Sequence, residues 1–321
     1  MFFDKIEQIY RDKIYTRSDD DGSIFYFSSD DFEGLHREPY QFKSSKGHTL
    51  QGYFYFYDDY KHGSIVIFEH GMGSGHRGYM KEIELLARNG FFVFAYDHTG
   101  CMESGGETTG GFVHSLIDLD DAIGALRADE KYASLEISVV GHSWGAYSTL
   151  NISNFRDDIK HLIALSGPIS LKALLSQSFS GLLAPIGNKL YKKELEKNPK
   201  YVPSDAITAL SKASARVLII HSDDDAIVKC KRHFDKMKKA LAKRDNIRFV
   251  KVSGKAHNPN YTYDSVKYKD EFFAIYQKAV AENALPTNEA KTEFKARFDW
   301  DRMTAQDEKI WYMILEVLNT R

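Results

Sequence analysis

The sequence predicts an α/β fold with a mostly parallel, doubly wound sheet, and two observations carry that prediction. The first is a series of short apolar runs: Ile65 to Phe68, Phe91 to Tyr96, Ile137 to Val140, Leu162 to Leu165, Val217 to Ile220 and Phe249 to Val252. Continuous β-rich runs of this length suit strands buried on both faces of a sheet covered by helices. The second is what separates them, namely Gly or polar residues followed by segments with helical spacing. Phe112, Leu116, Leu119, Ile123 and Leu126 recur at steps of four, three, four and three, which places them on one stripe of a helix. Strands alternating with helices imply right-handed crossovers and a doubly wound sheet.

Taken in order, residues 1–38 form an amino-terminal extension ahead of the first sheet signal. Tyr40 to Lys43 and Leu50 to Tyr57 flank Lys46-Gly47, the pattern of an antiparallel hairpin at a sheet edge. A helix follows from Tyr79 through Met80, Ile83 and Ala87, and Gly90 is placed to end it in a left-handed cap. The core is expected over 39–167 and 215–284. Between them, residues 168–214 are far longer than an ordinary connection and carry Leu171, Leu174, Leu175, Phe179, Leu182 and Leu183. This stretch is expected to be a mostly helical insertion. Residues 285–321 form a carboxyl-terminal helical extension, with Thr304 and Asp307 as a capping-box-like start. Ile310, Met313, Ile314, Val317 and Leu318 then make an apolar stripe, for docking on the body or for an oligomer contact.

Composition narrows the function. The 321 residues carry 43 Lys+Arg against 45 Asp+Glu, a balance that argues against a protein built to grip nucleic acid. Two cysteines, Cys101 and Cys230, lie far apart and outside any Cys-x-x-Cys pair, so neither a disulfide framework nor a thiolate zinc site is expected. Free thiols suit a reducing compartment. The first residues are charged and lack a continuous apolar core, so no signal peptide is expected. No stretch approaches the roughly eighteen apolar residues of a membrane span. The expectation is a soluble, cytoplasmic protein.

Gly141-His142-Ser143-Trp144-Gly145 directly follows the run Ile137 to Val140 and precedes a helical pattern through Tyr147 and Leu150. Gly-x-Ser-x-Gly in that setting is a nucleophile elbow, a turn so tight that its flanking positions must lack bulky side chains. Ser143 is the candidate nucleophile, and the Trp144 N–H can face a developing oxyanion. After Ile65 to Phe68 comes His70-Gly71-Met72-Gly73-Ser74-Gly75-His76-Arg77-Gly78. Here Gly73-x-Gly75-x-x-Gly78, trailed by Asp97, also matches a dinucleotide fingerprint. Its glycines begin several residues past the strand, which is unsuited to a pyrophosphate at a helix terminus. The His-Gly-x-Gly start instead suits a loop that aims the Met72 N–H at the site as second oxyanion donor.

A serine needs a neighbouring base held in one tautomer by a carboxylate. The run Val217 to Ile220 leads into His221-Ser222-Asp223-Asp224-Asp225-Ala226-Ile227-Val228. Asp225, three residues before Val228, is the preferred acid and Asp224 the alternative, with Asp223 capping or solvating a turn. Past Phe249 to Val252, Gly254-Lys255-Ala256-His257 places His257 on a loop at a carboxyl edge of the sheet, as base. Of the other histidines, His70 and His142 are read as stabilising the site loops and His221 as structural. No metal-ligand spacing occurs. The basic run from Lys229 through Arg244 is a solvated helix face, with Phe234, Met237 and Leu241 on its buried side.

With those residues in place, the chain resembles the serine α/β-hydrolases, and within them the monoacylglycerol lipase-like and serine aminopeptidase-like group. The resemblance rests on His70-Gly71-Met72-Gly73, Ala95 to Gly100, the pentapeptide around Ser143, Asp225 with Val228, and Gly254 to His257. It implies the α/β-hydrolase fold, a helical cap over the site formed by 168–214, and cofactor-free ester, lipase or amidase chemistry through an acyl-enzyme on Ser143. The chain departs from the group's pattern at Cys101-Met102-Glu103-Ser104, at Trp144 and at Ala146, positions that bear on the pocket.

The expected substrate is a small-molecule ester, or an amide or thioester, with Leu171, Leu174, Leu175 and Phe179 as an apolar wall for its acyl chain. Core contacts between insertion and body are the other reading of those four residues. No cofactor and no nucleic-acid partner are expected. Acyl transfer, a non-catalytic binding role and a dinucleotide-binding enzyme are the alternatives, because one fold hosts several chemistries.

Overall fold

The computed structural model describes residues 2–19 and 27–320. Eight strands form one sheet in the order β1-β2-β4-β3-β5-β6-β7-β8. They are β1 (His36–Lys43), β2 (Thr49–Phe56), β3 (Ser64–Glu69), β4 (Val93–Tyr96), β5 (Glu136–His142), β6 (Ile159–Leu165), β7 (Arg216–Ser222) and β8 (Ile247–Val252). From β4 to β8 every neighbouring pair is parallel, whereas β2 runs antiparallel to both β1 and β4. The expected hairpin is therefore present at one edge, and Gly47 in its turn has φ +89°, a value that favours glycine.

The helices are α1 (Phe2–Ile14), α2 (Met80–Arg88), α3 (His114–Ala128), α4 (Trp144–Asn151), α5 (Leu171–Ser178) and α6 (Ala184–Lys197). Then come α7 (Ala206–Lys212), α8 (Phe234–Ala240), α9 (Tyr263–Ala281), α10 (Asn288–Lys295), α11 (Trp300–Met303) and α12 (Glu308–Leu318). Because side chains alternate along a strand, the central strands feed two cores. Ile65, Ile67, Ile137, Val139, Leu162 and Ile219 join Leu116, Leu119, Tyr147 and Leu150 of α3 and α4 on one face. Val66, Phe68, Val140, Ile163, Leu218 and Ile220 join Ile83 and Leu86 of α2, with Ile310, Trp311 and Ile314 of α12, on the other. Helices on both faces make this a doubly wound sheet, as the sequence predicts. The tail stripe at 310–318 docks on the body.

Three local expectations need correction. β8 is not buried on both faces, since its residues are exposed or half-buried along the whole strand; it has only β7 beside it. Helix α3 begins at His114, so Phe112 precedes it rather than opening its stripe. Asp307 caps α12 by accepting from Lys309 and Ile310 N–H, but Thr304 ends α11 instead of completing a capping box. Residues 168–214 are mostly helical, carrying α5, α6 and α7. Helix α8 buries Phe234 and Met237 with Leu241 just beyond it, and the basic side chains Lys231, Arg232, Lys238 and Lys239 are exposed.

Candidate active site

Strand β5 ends in the pentapeptide Gly141 to Gly145, and α4 begins at its fourth residue. The turn is sharp enough to force Ser143 to φ 56° and ψ −109°, a strained conformation that persists only where its surroundings over-determine it. Both glycines are required by sterics. A Cβ on Gly141 would collide with the Gly145 carbonyl and the Thr149 hydroxyl, and one on Gly145 would collide with the Glu69 backbone on β3. The Ser143 N–H donates to the Leu165 carbonyl at the end of β6 (2.8 Å), pinning the bend between three strands. Its side chain is left at the carboxyl ends of the strands, where α/β sheets carry their ligands.

The structure brings Ser143, His257 and Asp225 together from three separate strand ends. His257 Nε2 lies 2.7 Å from Ser143 Oγ, and His257 Nδ1 lies 2.8 Å from Asp225 Oδ2. With Nδ1–H donating to the carboxylate, Nε2 is left to accept the serine proton. Asp225 Oδ1 accepts from the N–H groups of Ile227 and Val228, each at 2.9 Å. His221 Nε2 donates to the Val228 carbonyl and also lies 3.2 Å from Asp225 Oδ2. Burial would raise the Asp225 carboxyl, but hydrogen bonds from His221, His257 and the Val228 N–H, with the charge of His257, hold it well below the ordinary range. Asp224 does not reach His257. It accepts from the Ser222 hydroxyl and from the Ala256 N–H (3.1 Å), steadying the loop of His257 from outside. Asp223 accepts from the Ser253 hydroxyl (2.7 Å).

Tyr79 and His142 join the loop after β3 to the loop that carries His257. The Gly71 N–H donates to Tyr79 Oη (3.1 Å), Tyr79 Oη–H donates to His142 Nδ1 (2.8 Å), and His142 Nε2–H donates to the His257 carbonyl (2.8 Å). The chain of donors closes only if His142 is neutral. Burial, followed by the neighbouring His257, pushes its pKa down to about 3. Gly71 must be glycine because a Cβ there would lie 2.5 Å from Tyr79 Oη. His70 is buried behind the same loop, its Nδ1–H donating to the Gly71 carbonyl (2.8 Å) and its Nε2 accepting from the His98 N–H (3.0 Å). His142 was marked by its place in the elbow, but Tyr79 is one of 19 tyrosines and nothing in the sequence singles it out.

Residues 60–206 match the family model described as serine aminopeptidase, S33. The chain is an α/β-hydrolase in fold. Among solved structures it is similar to an esterase of Pyrococcus furiosus, at 18% identity and a TM-score of 0.58, over 85% of this chain and 99% of that one. An acylaminoacyl peptidase of Pyrococcus horikoshii matches at 17% identity and a TM-score of 0.53, over 70% of this chain but only 37% of the peptidase. An esterase domain from a Rhodothermus marinus protein matches at 15% identity and a TM-score of 0.51, over 75% and 97%. At such identities the likeness is one of fold. No curated protein sequence matches the chain.

Between α1 and α5 lies a largely apolar cavity of about 340 Å³. All four residues expected to line an acyl pocket, Leu171, Leu174, Leu175 and Phe179, stand on its wall. Leu171 and Leu175 are also buried in the main core, as the core-contact reading of these residues expects. The opposite wall is unexpected: Ile6, Ile9, Tyr10 and Ile14 of α1 supply it. Ser143 is not on the wall. The link is Phe112, which lines the cavity and whose carbonyl accepts from the Trp144 indole N–H. The Trp144 ring is buried against His98, so this departure from the group's pattern fills the core.

The dinucleotide pattern has a different physical explanation. Asp97 is buried and accepts from the His76 N–H (2.9 Å) and from His76 Nδ1 (2.8 Å), so its carboxylate faces the loop. A Cβ on Gly75 would collide with Met102 and Asp97. Of the three glycines, Gly75 thus serves loop packing over Asp97, Gly78 makes room for the Ser74 hydroxyl, and Gly73 takes φ +77°. Among the described residues no group of three or more His, Cys, Asp or Glu is placed to hold a metal ion. Among the same residues no helix is long and apolar enough to cross a membrane.

Proposed function

We propose that the chain is a serine hydrolase that cleaves carboxylic esters through an acyl-enzyme on Ser143. The observation that carries this reading is the continuous hydrogen-bonded row Ser143 Oγ, His257 and Asp225, at 2.7 and 2.8 Å. His257 takes the Ser143 proton as Oγ attacks the ester carbonyl, and Asp225 stabilises the imidazolium. The first N–H of α4, that of Trp144, has no intrahelical acceptor and holds the oxyanion together with the Met72 N–H, each worth about 3 kcal/mol. His257 then protonates the departing alkoxide. Water attacks the acyl-enzyme with His257 again as base, releasing the acid and restoring Ser143.

The apolar cavity favours an acyl chain over a charged one, with α5 to α7 acting as the cap and α1 as its second wall. A second reading, amide cleavage, is favoured by the serine aminopeptidase description of the match over 60–206. The two buried, unpaired cysteines fit a reducing, cytoplasmic location, and the partner needed is a small molecule alone.

Fluorophosphonate labelling tests the centre. Wild type is expected to label and Ser143→Ala to be silent, whereas equal labelling would move the nucleophile elsewhere. No labelling of either would favour a non-catalytic binding role. Rates on nitrophenyl esters of graded acyl length beside aminoacyl amides then decide ester against amide. An added alcohol acceptor would divert the acyl group if transfer were the natural reaction.

A further inference from the structure

The loop that carries His257 is gripped by a segment far away in sequence, between α11 and α12. Backbone pairing joins the two: the Thr262 N–H donates to the Ala305 carbonyl (3.0 Å), and the Asp307 N–H donates to the Asn260 carbonyl (2.7 Å). Tyr261 and Gln306 form an antiparallel bridge between these bonds. The Asn260 amide donates to Gln306 Oε1 (2.8 Å), which also accepts from the Trp311 indole (2.7 Å). Trp311 is anchored in the core with α2, so the grip extends to the body of the fold.

At the centre of this contact stands Lys255, only 2% exposed and two residues before His257. Its ammonium donates to the Tyr261 carbonyl, closing the loop on itself, and to Asp307 Oδ2 at 2.8 Å. The remaining side of the ammonium lies 4.2 Å from the centre of the Tyr263 ring. A buried lysine is costly unless its charge is paired and its donors are satisfied. Here every direction is answered, so the side chain has one place to be. Within the loop, the Asn258 N–H donates to the Lys255 carbonyl and the Tyr261 N–H to the Asn258 carbonyl, at 3.0 and 3.1 Å. Ala256, between Lys255 and His257, is held at φ 46°, a strained value for a residue with a side chain. Asp224 holds Ala256 directly from outside the loop by accepting from its N–H, and the Lys255–Asp307 clamp secures the neighbouring residue.

We infer that residues 304–307 act as a strap that positions the catalytic base, with Lys255 and Asp307 as its positioning residues. The inference rests on His257 being the base of the proposed hydrolase. Neither residue touches substrate; both act on the angle at which the imidazole meets Ser143. Catalytic geometry is steep in this coordinate, since a displacement near 1 Å costs about a hundredfold.

Asp307→Asn in the full chain is the informative variant. Asparagine caps a helix as well as aspartate does, so α12 keeps its start while the ion pair is lost. Lys255→Gln removes the other partner. Two readouts are taken together: kcat and KM on a nitrophenyl ester, per fluorophosphonate-titrated site, and amide hydrogen exchange over 255–262. The expected result is faster exchange confined to that loop, a fall in kcat of about tenfold and an unchanged KM. The double variant should be no slower than the slower single one, because both remove one clamp. Unchanged exchange in the loop would overturn the strap whatever the activity, and faster exchange with wild-type kcat per site would overturn its positioning role. Failure of wild type to label or hydrolyse would strike the hydrolase reading itself and remove the base that the strap is said to position.

Discussion

Helix α1 near the amino end and residues 304–307 near the carboxyl end both lie outside the sheet, yet they meet the site in opposite ways. Ile6, Ile9 and Ile14 of α1 face an apolar cavity; α1 is tied to α6 by Lys193 pairing with Glu7 (2.7 Å), and Tyr15, just past its end, donates to Glu194 of α6. The 304–307 segment contributes backbone pairing, an amide and a carboxylate to a loop two residues from the base. Apolar contact is non-directional and scales with area, whereas hydrogen bonds fail steeply with angle. A wall that only has to exclude water can therefore be built from the first kind of contact, and a support that has to aim an imidazole needs the second. Changes in α1 should accordingly register in substrate preference, and changes in the strap in turnover.

That comparison needs a scale, which the centre between the two ends provides. Asp225→Asn should lower kcat by about 10⁴-fold, because the amide leaves His257 in the wrong tautomer. Steady-state rates per titrated site measure it, and a loss below about tenfold would mean that Asp224 or another acceptor orients the imidazole. The amino-terminal end should respond next, in a different parameter. Ile6→Ala and Leu174→Ala, on opposite walls, should each lower kcat/KM for an octanoyl ester relative to an acetyl ester by about tenfold, a few buried methylenes' worth. An unchanged ratio would take the acyl chain out of this cavity. A fall in turnover on both esters alike would erase the contrast between the ends.

The parts of this design differ in how far the sequence exposed them, and the physical reason is range. The strands of the parallel sheet are continuous apolar runs, and the elbow is local sterics written in five residues, so both are legible without partners. The offset from Val228 favours Asp225 over Asp224 without excluding the latter, and only the tertiary contact at 2.8 Å to His257 Nδ1 separates them. The α1 wall was within reach, since Phe3, Ile6, Tyr10 and Ile14 fall at steps of three, four and four. That spacing announces an amphipathic helix but says nothing of the surface that receives it. The strap is further from reach. Tyr261 pairs with Gln306, a contact across the whole of α9, α10 and α11, and neither strand-like alternation nor capping chemistry predicts such a partner. Thr304 and Asp307 were visible as helix-cap residues, and one of them is. The second oxygen of Asp307, which holds Lys255, belongs to tertiary structure alone.

The smallest expected effect separates the ends by charge. Burial would raise the Asp307 carboxyl, but the Lys255 ammonium and the N–H groups opening α12 outweigh it and hold the group below its ordinary value of 3.8. An acid depressed in the folded state adds stability above its unfolded pKa and loses it as pH falls through the folded one. Asp307→Asn should therefore be less stable than wild type near pH 6, by about 1 kcal/mol for an ion pair whose carboxylate end is partly exposed. The gap should close only as pH falls below the ordinary 3.8, through the lowered pKa at which the folded wild-type carboxylate takes up its proton. Ile6→Ala removes no charge, so its destabilisation should stay constant over the same range. Urea unfolding of the three proteins at several pH values reads both slopes. A gap for Asp307→Asn that ignores pH would reduce its clamp to a neutral hydrogen bond, and the two ends would then differ in direction of contact but not in kind.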